Sequence, residues 1–292
     1  LCDLVRHHLL LPDVATRRDL SDDAVIDGVA GAVGSLTTLE LLAALTEADS
    51  LATGPSAWGS WKAGLVGQLV ERVAHVLRGG EAGDVTGGGF PAPGVRRLME
   101  AGATVVTGEG SLLTVVATDR PGLFSRVAGA LALEGLGVLA ADAVSGEDGM
   151  AASQFRVEPG PDGVDWDRVA SRVRLALEGR LALTARLAAR SRTYRRPAPG
   201  TALLAAPRVR VDNHASASST VVEVRAPDAV GVLYRITAAL AELDLDIRLA
   251  RVATLGNEVV DTFYVRTAGG GKLTEREHVR ELERAVLHHL ER

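Results

Sequence analysis

Ser111-Leu112-Leu113-Thr114-Val115-Val116-Ala117-Thr118-Asp119-Arg120-Pro121-Gly122-Leu123-Phe124 decides the reading of this chain, because the pattern occurs twice. Its second form is Thr220-Val221-Val222-Glu223-Val224-Arg225-Ala226-Pro227-Asp228-Ala229-Val230-Gly231-Val232-Leu233, which lies on the first without a gap at a shift of 109 residues (119 to 228). The match runs on: Arg126 meets Arg235, and Ala130-Leu131-Ala132 meets Ala239-Leu240-Ala241. Phe155 meets Phe263 after a gap of one residue. Self-similarity over such a span means two copies of one folding unit.

Each copy predicts strand, helix, strand, strand, helix. In copy two these are Val221–Val224, Val232–Leu243, Ile247–Thr254, Val259–Arg266 and Glu275–Leu290, with Gly256-Asn257 at the hairpin turn and Thr274-x-x-Glu277 capping the last helix. In copy one, Arg208–Val211 is expected as the closing strand, after a loop from about Arg190. A βαββαβ plan is the ferredoxin-like arrangement, so the fold class is α+β. Copy one spans 111–213, with an insertion at about 188–207, and copy two spans 219–292.

Upstream, residues 1–78 read as helical, with apolar positions three and four apart at Leu39, Leu42, Leu45 and at Leu65, Leu69, Val73, Val76. Thr37-Thr38-Leu39-Glu40 is a capping box. Seven glycines in the sixteen residues Gly79 to Gly94, ending in Pro91 and Pro93, mark a linker, drawn at 79–110. The chain opens inside an apolar helix around His7-His8 with no cap before it, as a fragment of a longer protein does.

Composition excludes several classes. The 292 residues are 47% hydrophobic and 24% charged, too apolar for a disordered chain. A net charge of −5 argues against a general nucleic-acid binder. One cysteine, Cys2, makes no internal disulfide. No apolar run approaches the roughly 18 residues that span a bilayer, and no signal-peptide pattern opens the chain. The expectation is a cytoplasmic protein with no membrane and no nucleic-acid partner.

Asp119-x-x-Gly122-Leu123 and Asp228-x-x-Gly231-Val232 each fall between a strand and a helix. Glycine there lets a ligand approach the backbone, and the free amides of the helix favour a carboxylate, so a small amino acid is the natural ligand. Read blandly, Asp forms the turn and Gly relieves its strain. From Arg168 to Arg196 stand nine Arg and one Glu with Tyr194 the sole aromatic, read as a solvated helix face or a docking surface for an acidic partner. Trp58, Trp61 and Lys62 are read as one packing face of a helix.

Strand, Asp-x-Pro-Gly-Leu-Phe, helix, in a ferredoxin-like plan, resembles an ACT domain. Two in tandem, the first with its last strand delayed, resemble the bifunctional uridylyltransferase/uridylyl-removing enzymes that modify the PII signalling protein. His7-His8-Leu9-Leu10, Ala15-Thr16-Arg17-Arg18-Asp19-Leu20, Leu45-Thr46-Glu47-Ala48-Asp49-Ser50 and Trp58-x-x-Trp61-Lys62 resemble the end of that family's HD hydrolase domain. The resemblance implies attachment of UMP from UTP to PII, removal of UMP by hydrolysis with a divalent ion, magnesium or manganese, and glutamine sensing by the ACT pair.

Asp49 lies seven positions from Leu42 and four from Leu45, which predicts an inward-facing carboxylate, costly unless paired or bound to metal. Asp49 matches the metal-binding Asp that ends the HD pattern, with His7 or His8 as a further contact; an ion pair with Arg17 or Arg18 is the alternative. The HD superfamily's His-Asp doublet and the transferase domain are absent from this sequence, so it is expected to be inactive alone. The amino-acid ligands are expected at Asp119, Gly122, Leu123 and at Asp228, Gly231, Val232. Copy two lacks the Arg-Pro between Asp and Gly, which puts the equivalence of the loops in doubt. The rival reading is a stand-alone amino-acid-binding module without catalysis.

Overall fold

The computed structural model describes residues 2–53, 58–84, 90–146, 148–158, 160, 163–193, 206–255 and 258–291. The chain forms two compact units, 1–89 with 214–217, and 90–213 with 218–292.

The first unit is helical: α1 Cys2–His7, α2 Leu10–Arg17, α3 Asp23–Val33, α4 Leu36–Thr53 and α5 Ser60–Leu77, then a single 3-10 turn at Ala82–Asp84. Asp22 caps α3 by accepting from the amide of Ala24, and Gly34, at φ +71°, ends it. Ser35 follows at once and its Oγ accepts from the Thr38 amide at 3.2 Å, so α4 starts at Leu36. The capping box expected at Thr37 therefore lies inside the first turn. Leu11, Ile26, Leu39, Leu42, Leu69 and Val73 form the core. Among them Arg72 is buried, with its guanidinium on Asp23 at 2.9 Å and on the carbonyls of Leu20 and Ala82. Those partners offset the cost of desolvating the cation. Trp58 precedes α5 and packs on the same core, and the Trp61 side chain lies outside the description.

The second unit opens with α6 Pro93–Glu100, β1 Val105–Glu109, β2 Leu112–Thr118, α7 Leu123–Glu134, β3 Val138–Ser145, β4 Met150–Val157, α8 Trp166–Leu177 and α9 Leu183–Thr193. It continues with β5 Arg208–Asp212, β6 Thr220–Pro227, α10 Val232–Glu242, β7 Asp246–Leu255, β8 Glu258–Arg266 and α11 Arg276–Glu291. One antiparallel sheet runs β1-β2-β4-β3-β7-β8-β6-β5. The copies meet at β3 and β7, where Ala141 pairs with Ala250 and Asp142 lies 3.7 Å from Arg251. The fold class holds: helices, then a ferredoxin-like sheet in two halves.

Two sequence expectations are corrected here. Arg208–Asp212 closes copy two, pairing with Thr220–Pro227, and copy one is closed by β1 ahead of its own first strand. Both closing strands thus precede the copy they complete. A short β1–β2 turn at Gly110, φ +55°, costs far less loop entropy than a return from residue 208. Trp166 clamps β1: its ring occupies the space where a Cβ on Gly108 would fall, and its Nε1 donates to the Gly110 carbonyl at 3.2 Å.

The second correction concerns the linker at 79–110, which contains α6 and β1. Pro93 starts α6 as an N-terminal proline, a position where the missing amide costs nothing. Val95 and Met99 then pack with Val116, Met150 and Ala152 on one face of the sheet. The other face meets α7, α8, α10 and α11 over a core that includes Val115, Val224, Phe155 and Phe263. The repeat-related Phe155 and Phe263 are both fully buried. Burial of that kind stabilises by roughly 1.5–3 kcal/mol per side chain. The last helix starts at Arg276, so Thr274 falls short of the capping position. The turn expected at Gly256-Asn257 and residues 194–205 of the insertion lie outside the described residues, while residues 188–193 belong to α9.

Candidate functional site

The Asp119–Gly122 turn hangs between β2 and α7. The Asp119 amide donates to the Gly149 carbonyl at 2.8 Å, and the Leu123 amide to the Arg120 carbonyl at 3.2 Å. Gly122 sits at φ +78°, a left-handed conformation that a side chain would strain. Beside this turn lies a cleft of about 490 Å³, and residues of both copies line it: Asp119 to Ser125 and Ser153 from copy one, Thr237, Ala241, Asp244 to Arg248 and Arg266 from copy two. Its floor carries an unused hydroxyl, because Ser153 is 1% exposed and its Oγ is without a hydrogen-bond partner. An orphaned buried hydroxyl costs free energy unless a ligand or water satisfies it.

The cleft opposes two signs of charge. Asp119, Asp244 and Asp246 face it with Arg120, Arg248 and Arg266. Burial pushes the Asp246 carboxyl up, Arg248 beside it pulls the other way, and the nearby Asp119 charge raises it further. Arg248 lies 3.5 Å from Asp246. Asp244 holds φ +51°, the one described non-glycine residue with positive φ. Strain of this kind, kept at a cleft, is a pointer to function. An ammonium and a carboxylate on one small molecule find partners here, the carboxylate at the amides of α7's first turn. The sequence singled out Asp119, Gly122 and Leu123; it missed Ser153, Asp246, Arg248 and Arg266, which reach the cleft on paired strands, and Asp244, in the turn that leads into β7.

Copy two presents its turn differently. Gly231 sits at φ +80° and the Val232 amide donates to the Ala229 carbonyl at 3.2 Å, as in copy one. Helix α9 packs on it: a Cβ on Gly231 would meet Leu187 at 3.4–3.6 Å. The repeat partner of Ser153 is Asp261, 1% exposed, with Oδ1 unpartnered. Burial first, against one backbone amide from Ala253 and with the charge of Asp228 adding to it, pushes its carboxyl up to about 8.

Asp49 lies on α4, His7 ends α1 and His8 follows it directly. Asp49 is exposed, because the buried positions of α4 are Leu39, Leu42, Thr46 and Ser50, a register that turns Asp49 outward and leaves Leu45 exposed at 38%. His7 is half-buried, and His8 is exposed with Nδ1 2.8 Å from the Val5 carbonyl. Among the described residues no group of three or more His, Cys, Asp or Glu is placed to hold a metal ion. The described residues by themselves do not complete a site for the expected ion.

Along the arginine-rich stretch Arg168, Arg174, Arg180, Arg186 and Arg192 are exposed, as a solvated face requires, while several of its guanidiniums also tie the helices to their neighbours. Arg168 and Arg172 both hold Glu134, at 2.7 and 2.8 Å, Arg174 donates to the Val106 carbonyl and Arg190 to that of Leu133. Arg195 and Arg196 lie outside the described residues.

The chain is similar to several known proteins. Residues 220–286 match the ACT domain family. A bifunctional uridylyltransferase/uridylyl-removing enzyme of Streptomyces coelicolor is 37% identical over 94% of this chain and 38% of its own length. Enzymes with the same description from Rhodospirillum rubrum and Gluconobacter oxydans are 34% and 33% identical, each over 97% of this chain and 36% of theirs. A solved structure of an unknown protein from Galdieria sulphuraria aligns over 60% of this chain and 89% of its own at 17% identity and a TM-score of 0.20. The chain spans less than two-fifths of the length of those curated relatives. No single helix among the described residues is long and apolar enough to cross a membrane. This chain carries an ACT domain and corresponds, over nearly its whole length, to the C-terminal part of the bifunctional uridylyltransferase/uridylyl-removing enzymes.

Proposed function

We propose that this chain is the sensor of an enzyme that uridylylates PII from UTP and removes the UMP by hydrolysis, and that the cleft between the copies binds glutamine. The observation that carries the reading is the cleft itself: acidic and basic side chains face each other across it, beside a glycine turn and the first turn of α7. Asp119 and Asp246 take the ammonium, the α7 amides the carboxylate, and Ser153 Oγ the remaining polar end of the ligand. Leu123 supplies an apolar wall. Regulation then requires that the two activity states of the enzyme bind glutamine with different affinity.

Calorimetric titration of the full chain with glutamine, against glutamate and asparagine, tests this. Saturable, glutamine-selective heat is expected, weakened tenfold or more, about 1.5–3 kcal/mol, by Asp119→Ala. No heat with any of the three removes the sensor reading and leaves the tandem as an assembly surface.

A stand-alone amino-acid-binding module without catalysis is the second reading, favoured by the exposure of Asp49, which leaves that carboxylate solvated without any ion. Magnesium or manganese belongs to the hydrolysis in the first reading, and no step is assigned to Asp49, His7 or His8. Saturable binding of magnesium or manganese by the full chain would favour the first reading, and glutamine binding with neither ion bound the second.

A further inference from the structure

The repeat pairs Gly122 with Gly231 and Asp244 with Gly135. At the copy-one turn, Gly122 and, from copy two, Asp244 line a single open cleft. Their repeat partners, Gly231 of copy two and Gly135 of copy one, both touch α9. Leu187 lies against Gly231, and the Arg190 guanidinium lies where a Cβ on Gly135 would fall, 2.7 Å from it. Two hydrogen bonds hold the helix in place: Thr184 Oγ1 with Tyr234 Oη at 2.9 Å, and Arg190 Nη1 donating to the Leu133 carbonyl at 3.1 Å. The space that is one cleft at the copy-one turn is divided in its repeat equivalent. One groove runs between α9 and α10 beside Gly231, and a separate one lies at Gly135–Gly137 and Glu158.

The chemistry of α9 matches its position. The C-terminal end of α7 presents free carbonyls and a partial negative charge, which favours a cation, and Arg190 supplies one from the chain. The matching end of α10 carries Asp244 and Asp246 in the open cleft, where the ammonium of the ligand proposed above is required instead. Leu187 puts aliphatic carbon over Gly231, where the carbon skeleton of an amino acid would pass.

We propose that α9 occupies a second ligand site, so that the tandem binds one amino acid at the copy-one turn and fills the equivalent space with its own Leu187, over the copy-two turn, and Arg190, at the end of α7. The ligand class rests on the reading in the preceding subsection; the seat of α9 does not. Two measurements on the full chain test it: glutamine stoichiometry by calorimetry, and tryptic cleavage after Arg186, an exposed residue within α9. The wild type should bind one glutamine and resist cleavage. Leu187→Ala/Arg190→Ala should bind two and be cut roughly tenfold faster, with Leu187→Ala alone as the milder variant should the double one fail to fold. Two ligands on the wild type overturn the proposal, as does one on both proteins, which would make α9 packing only. Equal cleavage of both proteins overturns it as well. No glutamine on either, with Arg186 protected in the wild type and released in the variant, leaves the seat of α9 standing and removes the amino-acid reading instead.

Discussion

One Asp-x-x-Gly turn faces an open cleft and its repeat lies beneath a helix, although strand, turn and helix follow the same order in both. Copy one keeps Ser153 at the cleft floor, and copy two has a buried carboxyl, Asp261, in that place. Copy one ends α7 with Gly135, and copy two ends α10 with Asp244 strained at φ +51°. The same order of strand, turn and helix thus stands in two different surroundings, set by differences at a few positions. An insertion between the copies, α9, is the largest of these differences.

Asp261 provides the strongest way to break the comparison. Burial holds its proton up to about pH 8, whereas an unfolded chain releases it near pH ~4. Between those values the folded state binds more protons than the unfolded one, so stability falls as pH rises through the window. The slope reaches at most about 1.4 kcal/mol per pH unit. Urea unfolding across that range should show the fall in the wild type and a much flatter profile in Asp261→Asn. Asp246, also pushed up by burial, contributes in the same direction in both proteins, so the difference between them isolates Asp261. Equal slopes would mean that Asp261 is solvated and that its place is not the dry equivalent of Ser153.

Phe155 and Phe263 test whether the copies are energetically equal. Each is fully buried at a repeat-related position. Truncation to Ala should cost about 3–5 kcal/mol in either copy. Because β3 and β7 join the halves into one sheet, both variants should lower a single melting transition of the second unit. A variant that melts one half ahead of the other in calorimetry would show two independent domains.

The smallest effect is at Asp244. Asp244→Gly, which copies Gly135, should relieve the left-handed backbone and raise stability by about 1 kcal/mol, while weakening the ligand at the cleft. Thermal melts with and without glutamine read both at once. Added stability with unchanged affinity would remove Asp244 from the site.

Much of this was legible in the chain. The repeat, its βαββα core and the turns at Asp119 and Asp228 follow from apolar alternation, helical spacing and glycine, which are local properties of consecutive residues. The closing strands were misassigned because β1 and β5 are five residues each, too short to announce their partners. Asp49 was placed inward because Leu45 was counted into the apolar stripe, whereas Thr46 and Ser50 take the buried register. The family likeness was also visible in the motifs. What the sequence by itself determined, then, is the duplicated unit and the residues at each turn. Only the tertiary structure decided that Ser153, Asp246 and Arg248 converge on the copy-one turn, since Ser153 arrives on β4 by pairing with β2 and β3, and Asp246 and Arg248 on β7 by its pairing with β3. It alone decided that Leu187 settles on the other and Arg190 at the end of α7. Local pattern sets which face of an element is apolar, but which faces meet depends on strand order and close packing across more than a hundred residues of chain.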